Sequence, residues 1–366
     1  MRMNHVHWVL WMAMGCGDEK AADDTSAGTA VVEADWDCDP IAPTRCGLPF
    51  PSTYFMTPSE DSRTGFQVAL GETTIPANID GKTTSPRFLN EKDGFSPLTP
   101  LITHFEYATA EGMVSHTDIA RYLDADAKTL VIDLETGERV PHFAEVDAST
   151  DADYARMLMI HPVVPLTHGG RYVVGIQGVV DTEGALVEPS EAFIELRDGV
   201  TSDDPRVESR RELYDSLIFP ALTAQGVERG DVQLAWDFVV ASQENITGKA
   251  LWMRQDLYER IEAEGQEYVI DEVQNEPNET TARRVKGRLT VPLYTDIDGP
   301  GALLNRDEDG MPFANGSTEV PFTIIVPKTA VEDPRPLPLI QYGHGLLGGQ
   351  GAVSYTHLTL PTIYAV

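Results

Sequence analysis

The stretch that decides the fold prediction is Pro338-Leu-Ile-Gln-Tyr-Gly-His-Gly-Leu-Leu-Gly-Gly349. A short apolar run leads into a His-Gly turn and then into a glycine-rich loop. The run predicts a strand over Leu337–Tyr342. Glycines allow the backbone N–H groups of the following loop to turn inward at the edge of a sheet. We therefore expect a functional loop there, formed by His344, Gly345, Leu346 and Leu347.

Two further strand-like runs precede this loop, at Gly287–Tyr294 and Val320–Val326. An antiparallel lead-in of this kind is typical of the start of an α/β-hydrolase sheet, in which the glycine-rich loop supplies oxyanion-stabilising amides. A G-x-S-x-G nucleophile elbow occurs nowhere in the 366 residues. The sequence therefore predicts that residues 285–351 are the first part of a hydrolase domain, truncated before its nucleophile.

Residues 38–200 have a different texture, in which short β-prone runs are separated by Gly, Asn and Asp turns. These runs are Gly65–Leu70, Leu101–Phe105, Leu130–Ile132, Arg156–Ile160, Arg171–Gly175 and Ala192–Glu195. Several short strands at this spacing predict an all-β domain that is Ig-like or sandwich-like.

Residues 201–284 change to a helical period. Asp204 offers an N-cap, Pro205 occupies the first helical position, and Gly226 is a plausible stop. A strand is predicted over Gln233–Ala241 and a second helix over Thr247–Ala263. We expect a helix–strand–helix bridge between the β-rich domain and the hydrolase sheet, which makes the fold class mixed.

The N-terminus predicts export. The short apolar run Val6–Gly15 ends just before Cys16, as in a lipoprotein signal peptide with a lipidated cysteine. The run is too short to span a bilayer as a helix. Residues 17–37 are acidic and poor in large apolar side chains, which predicts a disordered tether. The expected location is the cell surface or outer membrane of a bacterium, held there by the lipid anchor alone.

Cys38 and Cys46 remain as a local pair. Export favours a disulfide between them, and two unpaired thiols are the alternative. The sequence around them offers no His and no second cysteine pair, which argues against zinc.

The net charge of −31 excludes a polyanion such as nucleic acid as partner, and argues against electrostatic binding to anionic membranes. This acidity fits the solubilising surface of a secreted protein. The alternative is calcium binding, for which only Asp124–Asp126 and Asn305–Gly310 are candidates. The second segment lacks the terminal glutamate of an EF-hand loop. We therefore expect neither metal nor cofactor.

Residues 352–366 lack the acidity of the rest of the chain. They contain no Asp, Glu, Lys or Arg, and their one histidine is His357. This contrast predicts a non-native tail, and the alternative is a genuine C-terminal strand. In either case Ser354 and His357 lack the elbow and the acid that a catalytic pair requires.

Five motifs occur in order along the chain: Cys38-Asp-Pro with Cys46-Gly-Leu-Pro-Phe-Pro-Ser52, Asp93-Gly-Phe-Ser-Pro97, Pro165–Val174, Leu234-Ala-Trp-Asp-Phe238 and Tyr342-Gly-His-Gly-Leu346. Together they resemble the bacterial lipoprotein relatives of the virulence-factor lipase family. The resemblance implies a β-rich domain joined to an α/β-hydrolase, and hydrolysis of carboxylic esters by a Ser-His-Asp triad. Only the oxyanion loop carries over, because the nucleophile, acid and base have no matching positions here.

Four other residues have two interpretations each. Trp236 and Phe238 fit packing within a strand, with ligand stacking as the alternative. His161 and His168 flank a hairpin turn and fit surface positions, with joint metal binding as the alternative.

Two hypotheses about function follow. In the first, the chain is the N-terminal portion of an exported lipase or esterase acting on an ester or lipid substrate, and is inactive without its triad. In the second, it is a non-catalytic surface lipoprotein whose β domain serves adhesion or carbohydrate binding.

Overall fold

The computed structural model describes residues 38–332, 335–341 and 343. The signal peptide with Cys16, the acidic tether before Cys38, the loop His344–Leu347 and the tail 352–366 lie outside the described residues. Every strand pair within the described ranges is antiparallel. The described chain is thus β-rich with few helices, which agrees with the predicted mixed, β-rich fold class.

The strands form four small sheets, ordered β1-β2, β3-β6-β5, β4-β7-β8 and β11-β10-β9. Their bounds are β1 Met56–Pro58, β2 Phe66–Val68, β3 Leu101–Thr103, β4 Thr129–Asp133, β5 His142–Val146, β6 Leu158–Pro162, β7 Arg171–Gln177, β8 Val232–Val239, β9 Tyr268–Asn275, β10 Thr281–Pro292 and β11 Ser317–Pro327.

The helices are α1 Glu191–Asp198, α2 Pro205–Glu208, α3 Arg211–Leu213, α4 Phe219–Ala224, α5 Lys249–Glu264 and α6 Lys328–Glu332. Wide π-type turns over Tyr214–Ile218 and Glu244–Gly248 lead into α4 and α5. Among the described residues, no helix has the length and apolar character needed to cross a membrane.

The sheet β4-β7-β8 lies at the centre of the main hydrophobic core. Consecutive residues of all three strands are buried, and because side chains alternate between faces, both faces of this sheet are covered. Gly175 of β7 faces Leu222 of α4 so closely that a Cβ there would collide with the leucine side chain. The sheet β3-β6-β5 contributes Leu101, Leu158 and Ile160 to the same core.

The bridge expected over residues 201–284 is not a separate unit in its first half. Strand β8 pairs with β7 along its whole length, from Arg171 opposite Val239 to Gln177 opposite Val232. The Tyr214 hydroxyl donates to the carbonyl oxygen of Ala235 at 2.8 Å, which ties the helical segment to β8. The division expected at residue 200 is therefore corrected, because β8 and the helices before it complete the core of the β-rich domain.

The strand predicted over Ala192–Glu195 is wrong, because this segment belongs to α1. The Ser190 hydroxyl caps the helix by accepting from the Phe193 N–H, and Gly199 ends it in the left-handed conformation. Phe193 and Leu196 are buried three residues apart on one face. Two caps and a helical period decide the conformation against the β-prone composition of the short run.

The other predicted elements of residues 38–284 are present within one or a few residues of their expected bounds. Strands β2, β3, β4, β6, β7 and β8 are found, as are the helical segment starting at Asp204 and helix α5. The Asp204 side chain accepts from the Arg206 N–H with Pro205 at the first position, as its cap signal indicates. Strands β1, β5 and β9 are not predicted from the sequence.

The sheet β11-β10-β9 differs from the first core in its burial. Its strands are long, but β9 and β11 have no buried residue within the described chain. Val269 and Ile270 are adjacent on β9 and therefore face opposite sides of the sheet, and both are more than 40% exposed, at 44% and 43%. Ile324 of β11 is exposed as well. Both faces of this sheet thus present apolar side chains to solvent.

The strand predicted over Leu337–Tyr342 is wrong for the described residues 335–341, which are irregular. Leu339 and Ile340 are 88% and 81% exposed. An apolar run forms a strand only where a neighbouring strand accepts its backbone hydrogen bonds, and this segment pairs with none of the described strands.

Candidate functional site

The first described residues are closed into a loop by a disulfide and are held to the core by an ion pair. Cys38 and Cys46 form the disulfide that the sequence predicts. Asp39 is fully buried, and its Oδ1 accepts from the Ile41 N–H at 3.1 Å and from Arg210 Nη1 at 2.7 Å. Burial raises the pKa of Asp39 against the opposing charge of Arg210. Burial lowers the pKa of Arg210, but the charge and hydrogen bond of Asp39 together with the charges of Tyr214 and Asp237 outweigh it, so the net shift is upward.

Two hydroxyl–imidazole pairs have the outline of a nucleophile and its base, but their surroundings make them structural. Thr129 Oγ1 lies 2.9 Å from His142 Nε2, and both residues are fully buried. His142 Nδ1 contacts the Val140 carbonyl oxygen at 2.8 Å, and burial lowers the pKa of the ring. His104 likewise contacts Thr44 Oγ1 and a backbone carbonyl. Neither imidazole is held by a carboxylate, and neither hydroxyl faces a cleft.

The two aromatic residues and the two histidines singled out from the sequence have packing and surface roles. Trp236 is fully buried, and its Nε1 donates to the Pro51 carbonyl oxygen at 2.8 Å. Phe238 stacks on Tyr172 within the same core. His161 stacks on Phe143 of β5. These are packing contacts, so the ligand-stacking interpretation of Trp236 and Phe238 is wrong.

His161 and His168 have separate polar partners. His161 Nε2 lies 3.2 Å from a Glu145 carboxylate oxygen, whereas His168 Nδ1 contacts the carbonyl oxygen of Ala241. The described ranges contain no group of three or more His, Cys, Asp or Glu side chains that could hold a metal ion. Near Asn305–Gly310, Asp307 Oδ1 instead accepts from the N–H groups of Asp309 and Met311.

A concave surface beside the start of α5 forms an open groove of about 550 Å³, which we call the α5 groove. It continues into a shallower hollow of about 470 Å³ that shares Arg63, Ser242, Glu244 and Gly248 with it. This volume lies in the range of small-molecule sites. The lining residues of the groove are Ser59, Asp61, Ser62, Arg63, Gln67, Glu91, Lys92, Asp93, Ser242, Glu244, Asn245, Gly248, Lys249, Trp252, Asp309, Gly310 and Met311.

Paired charges fix the walls of the α5 groove. Arg306 Nη1 lies 2.7 Å from Glu91 Oε2, which ties the loop before Asp309 to the segment before Asp93. Arg63 Nε and Glu244 Oε2 form a second ion pair at 2.7 Å. The buried Asp93 accepts from the Ser242 N–H at 3.0 Å.

The α5 side of the groove carries polar groups without protein partners. Within the described chain, Lys249 Nζ makes no hydrogen bond or ion pair, and the buried Asn245 Oδ1 also has no partner. Burial lowers the pKa of Lys249, and the charges of Arg306 and Lys92 lower it further against Glu91. Trp252 follows one turn later, with 37% of its surface exposed at the groove.

Sequence reasoning did not identify this groove. Asn245, Lys249 and Trp252 are spaced as i, i+4 and i+7, which is a helical face, and this spacing was the available signal. The opposite wall comes from residues 59–67 and 91–93, more than 150 residues earlier in the chain. Such a long-range approach leaves no mark on local sequence.

The oxyanion-loop candidates His344, Gly345, Leu346 and Leu347 lie outside the described residues, so their geometry adds nothing to the site. Comparisons with protein-family models, with curated proteins and with solved structures found no match to this chain.

Proposed function

We propose that this chain is the N-terminal portion of an exported carboxylic-ester hydrolase of the lipase or esterase type, anchored to a bacterial membrane through Cys16. In this proposal the sheet β11-β10-β9 opens the hydrolase domain, and His344, Gly345, Leu346 and Leu347 supply its oxyanion loop. The serine, acid and base belong to polypeptide beyond Gln350, so the 366 residues alone are inactive.

The open sheet is the observation that carries the proposal. Val269, Ile270, Val273, Val320 and Ile324 are all exposed, and they lie on both faces of the sheet. A sheet that carries apolar residues on both faces requires a covering layer on each side. Exposed apolar surface of this kind marks a place where further polypeptide packs.

Two sequence features also support the α/β-hydrolase proposal. They are the five motifs in order and the glycine-rich loop after Pro338. The Ig-like description of the β-rich domain is part of the same proposal, supported by its antiparallel sheets and shared core. Each oxyanion donor contributes on the order of 3 kcal/mol to transition-state stabilisation.

The experiment is to read the source gene in frame beyond codon 350, express the product, and measure hydrolysis of nitrophenyl acetate and butyrate. Residues 1–366, expressed in parallel, are the matched control. The proposal predicts turnover by the longer product and none by the control. A genuine stop after codon 366, or a longer product without esterase activity, overturns it.

A second candidate is a non-catalytic surface lipoprotein with a binding domain. The α5 groove favours it, because its volume and its unpartnered polar groups suit a small ligand. Stable soluble expression of residues 1–366 without esterase activity in any in-frame product is the result that this candidate predicts.

A further inference from the structure

We propose that the α5 groove binds a sugar that carries one carboxylate, of the hexuronate class, with the carboxylate on Lys249 and the sugar ring on Trp252. This inference does not rest on ester hydrolysis. It names a ligand for a groove that is lined by described residues.

The charge of the ligand follows from the lysines of the lining. Neither Lys249 nor Lys92 forms an ion pair with another described residue, whereas Arg63 and Arg306 are both paired with glutamates. Lys92 is exposed. Lys249 is partly buried, so its cation lacks full hydration and gains from a carboxylate placed in the groove.

The number of charges on the ligand is limited to one. The protein has a net charge of −31, which repels polyanions at a distance. Asp61 and Asp309 also line the groove, and neither carboxylate is in an ion pair with another described residue. These disfavour a second anionic group but can accept hydrogen bonds from hydroxyls.

The sugar follows from the remaining lining. Trp252 offers an exposed aromatic surface one turn from Lys249, and the negative face of an indole attracts the C–H groups of a sugar ring. Ser59 and Gln67 line the opposite wall with polar side chains. Hydroxyl donors of a sugar satisfy such groups, whereas an apolar acid leaves them desolvated and unpaired.

The test is isothermal titration of residues 1–366 with galacturonate, galactose and benzoate. The expected result is saturable one-to-one binding of galacturonate, with galactose and benzoate at least tenfold weaker. If galactose binds as tightly as galacturonate, the carboxylate has no role in binding. If benzoate binds more tightly than galacturonate, the sugar ring has no role. Absence of galacturonate binding overturns the inference as a whole.

Variants locate the site. Lys249→Met and Trp252→Phe are expected to weaken galacturonate binding at least tenfold and about threefold respectively, and Lys249→Arg to retain most of it. The matched controls are Lys286→Met, on β10 outside the groove, and Tyr258→Ala, on the same helix as Trp252. Wild-type affinity in Lys249→Met overturns the placement.

A measurement on the wild-type protein tests the site even if the variants fail to fold. Amine acetylation followed by peptide mass spectrometry is expected to modify Lys249, and galacturonate is expected to slow this at least fivefold while leaving Lys286 unaffected. Equal rates with and without galacturonate overturn the proposal. Because no ester is involved, failure here is distinct from failure of the esterase experiment.

Discussion

Arg210 Nη1 and Asp39 Oδ1 are 2.7 Å apart, and their side chains are only 10% and 0% exposed. The pair joins the segment beside Cys38 to the helical region 171 residues later. The guanidinium of Arg210 also lies over the rings of Tyr54 and Tyr214, at 5.2 and 5.4 Å. This buried ion pair, flanked by two aromatic rings, holds the segment beside Cys38 to the core.

Removing one partner of this pair leaves the other charge buried and unpaired. Arg210→Met is therefore expected to lower the free energy of unfolding by about 3–5 kcal/mol. Adding Asp39→Ala to Arg210→Met is expected to recover a large part of the loss, because no charge then remains buried. Urea unfolding of the single and double variants measures this. Arg121→Met, in an exposed pair with Asp124, is the control and should leave the midpoint unchanged. A double variant as unstable as the sum of the singles contradicts the account.

Gly94 is required by a close approach of two backbones. A Cβ at this position would lie 2.5 Å from the Ala241 nitrogen and 2.7 Å from its Cα. The neighbouring backbone bonds, Phe95 N–H to Val239 O and Ala241 N–H to Phe95 O, are expected to break in Gly94→Ala. We predict a loss of about 2–4 kcal/mol in unfolding free energy. Gly230→Ala is the matched control, since nothing lies within 4 Å of its added Cβ. Equal stability of the two variants would refute this reading.

The buried His142 predicts a stability that depends on pH. Burial lowers its folded-state pKa below the value of about 6.5 in the unfolded chain. Below pH 6.5 the His142 imidazole therefore binds a proton in the unfolded state but not in the folded state. The free energy of unfolding consequently decreases as pH falls toward the folded-state pKa. The slope from one such group is at most about 1.4 kcal/mol per pH unit.

The measurement is urea unfolding at pH 7.5 and 5.5 for the wild type, His142→Gln and His116→Gln. His142→Gln is expected to show a smaller difference between the two pH values than the wild type does. His116 is exposed, and its variant is expected to keep the wild-type difference. An unchanged difference in His142→Gln contradicts the assignment. Since His104 is also buried with a lowered pKa, some pH dependence remains in every variant.

The disulfide closes a short loop in the unfolded chain. For the nine residues from Cys38 to Cys46, spanning a sequence separation of 8, loop-closure entropy predicts a contribution of about 2–3 kcal/mol. The Cys38→Ser, Cys46→Ser variant is expected to lose this amount in urea unfolding, and the reductant dithiothreitol should lower the wild type to the same level. A wild type that is insensitive to the reductant while the double variant is destabilised would show that side-chain packing, and not the covalent link, is responsible.

Much of the first core could be predicted from sequence because its signals are local. The Asp204-Pro205 cap, the apolar run of β8 and the turn glycines each act on their own neighbourhood. Helix α1 was missed although Ser190 and Gly199 were both visible, because a four-residue apolar run has no resolvable period. The apolar run of β8 gave its conformation but not its partner, so its place beside β7 was also missed.

The site was less predictable than the fold. The sequence pointed to the glycine-rich loop after Pro338, which lies outside the described residues, and to His161, Trp236 and Phe238, which pack. The α5 groove depends on the approach of Lys249 to Glu91 and Lys92 across a large sequence separation. Tertiary contacts of this kind decide which polar groups remain unpaired, and a single sequence does not encode them locally.

The measurement that tests the central claim most directly is fluorophosphonate labelling of the in-frame product of the source gene, with the adduct located by mass spectrometry. The account predicts one labelled serine, in a G-x-S-x-G elbow that follows Gly349. It also predicts no label on residues 1–366 expressed alone. An in-frame product with no labelled serine, or a label within residues 38–332, would contradict the proposal that this chain opens a serine hydrolase.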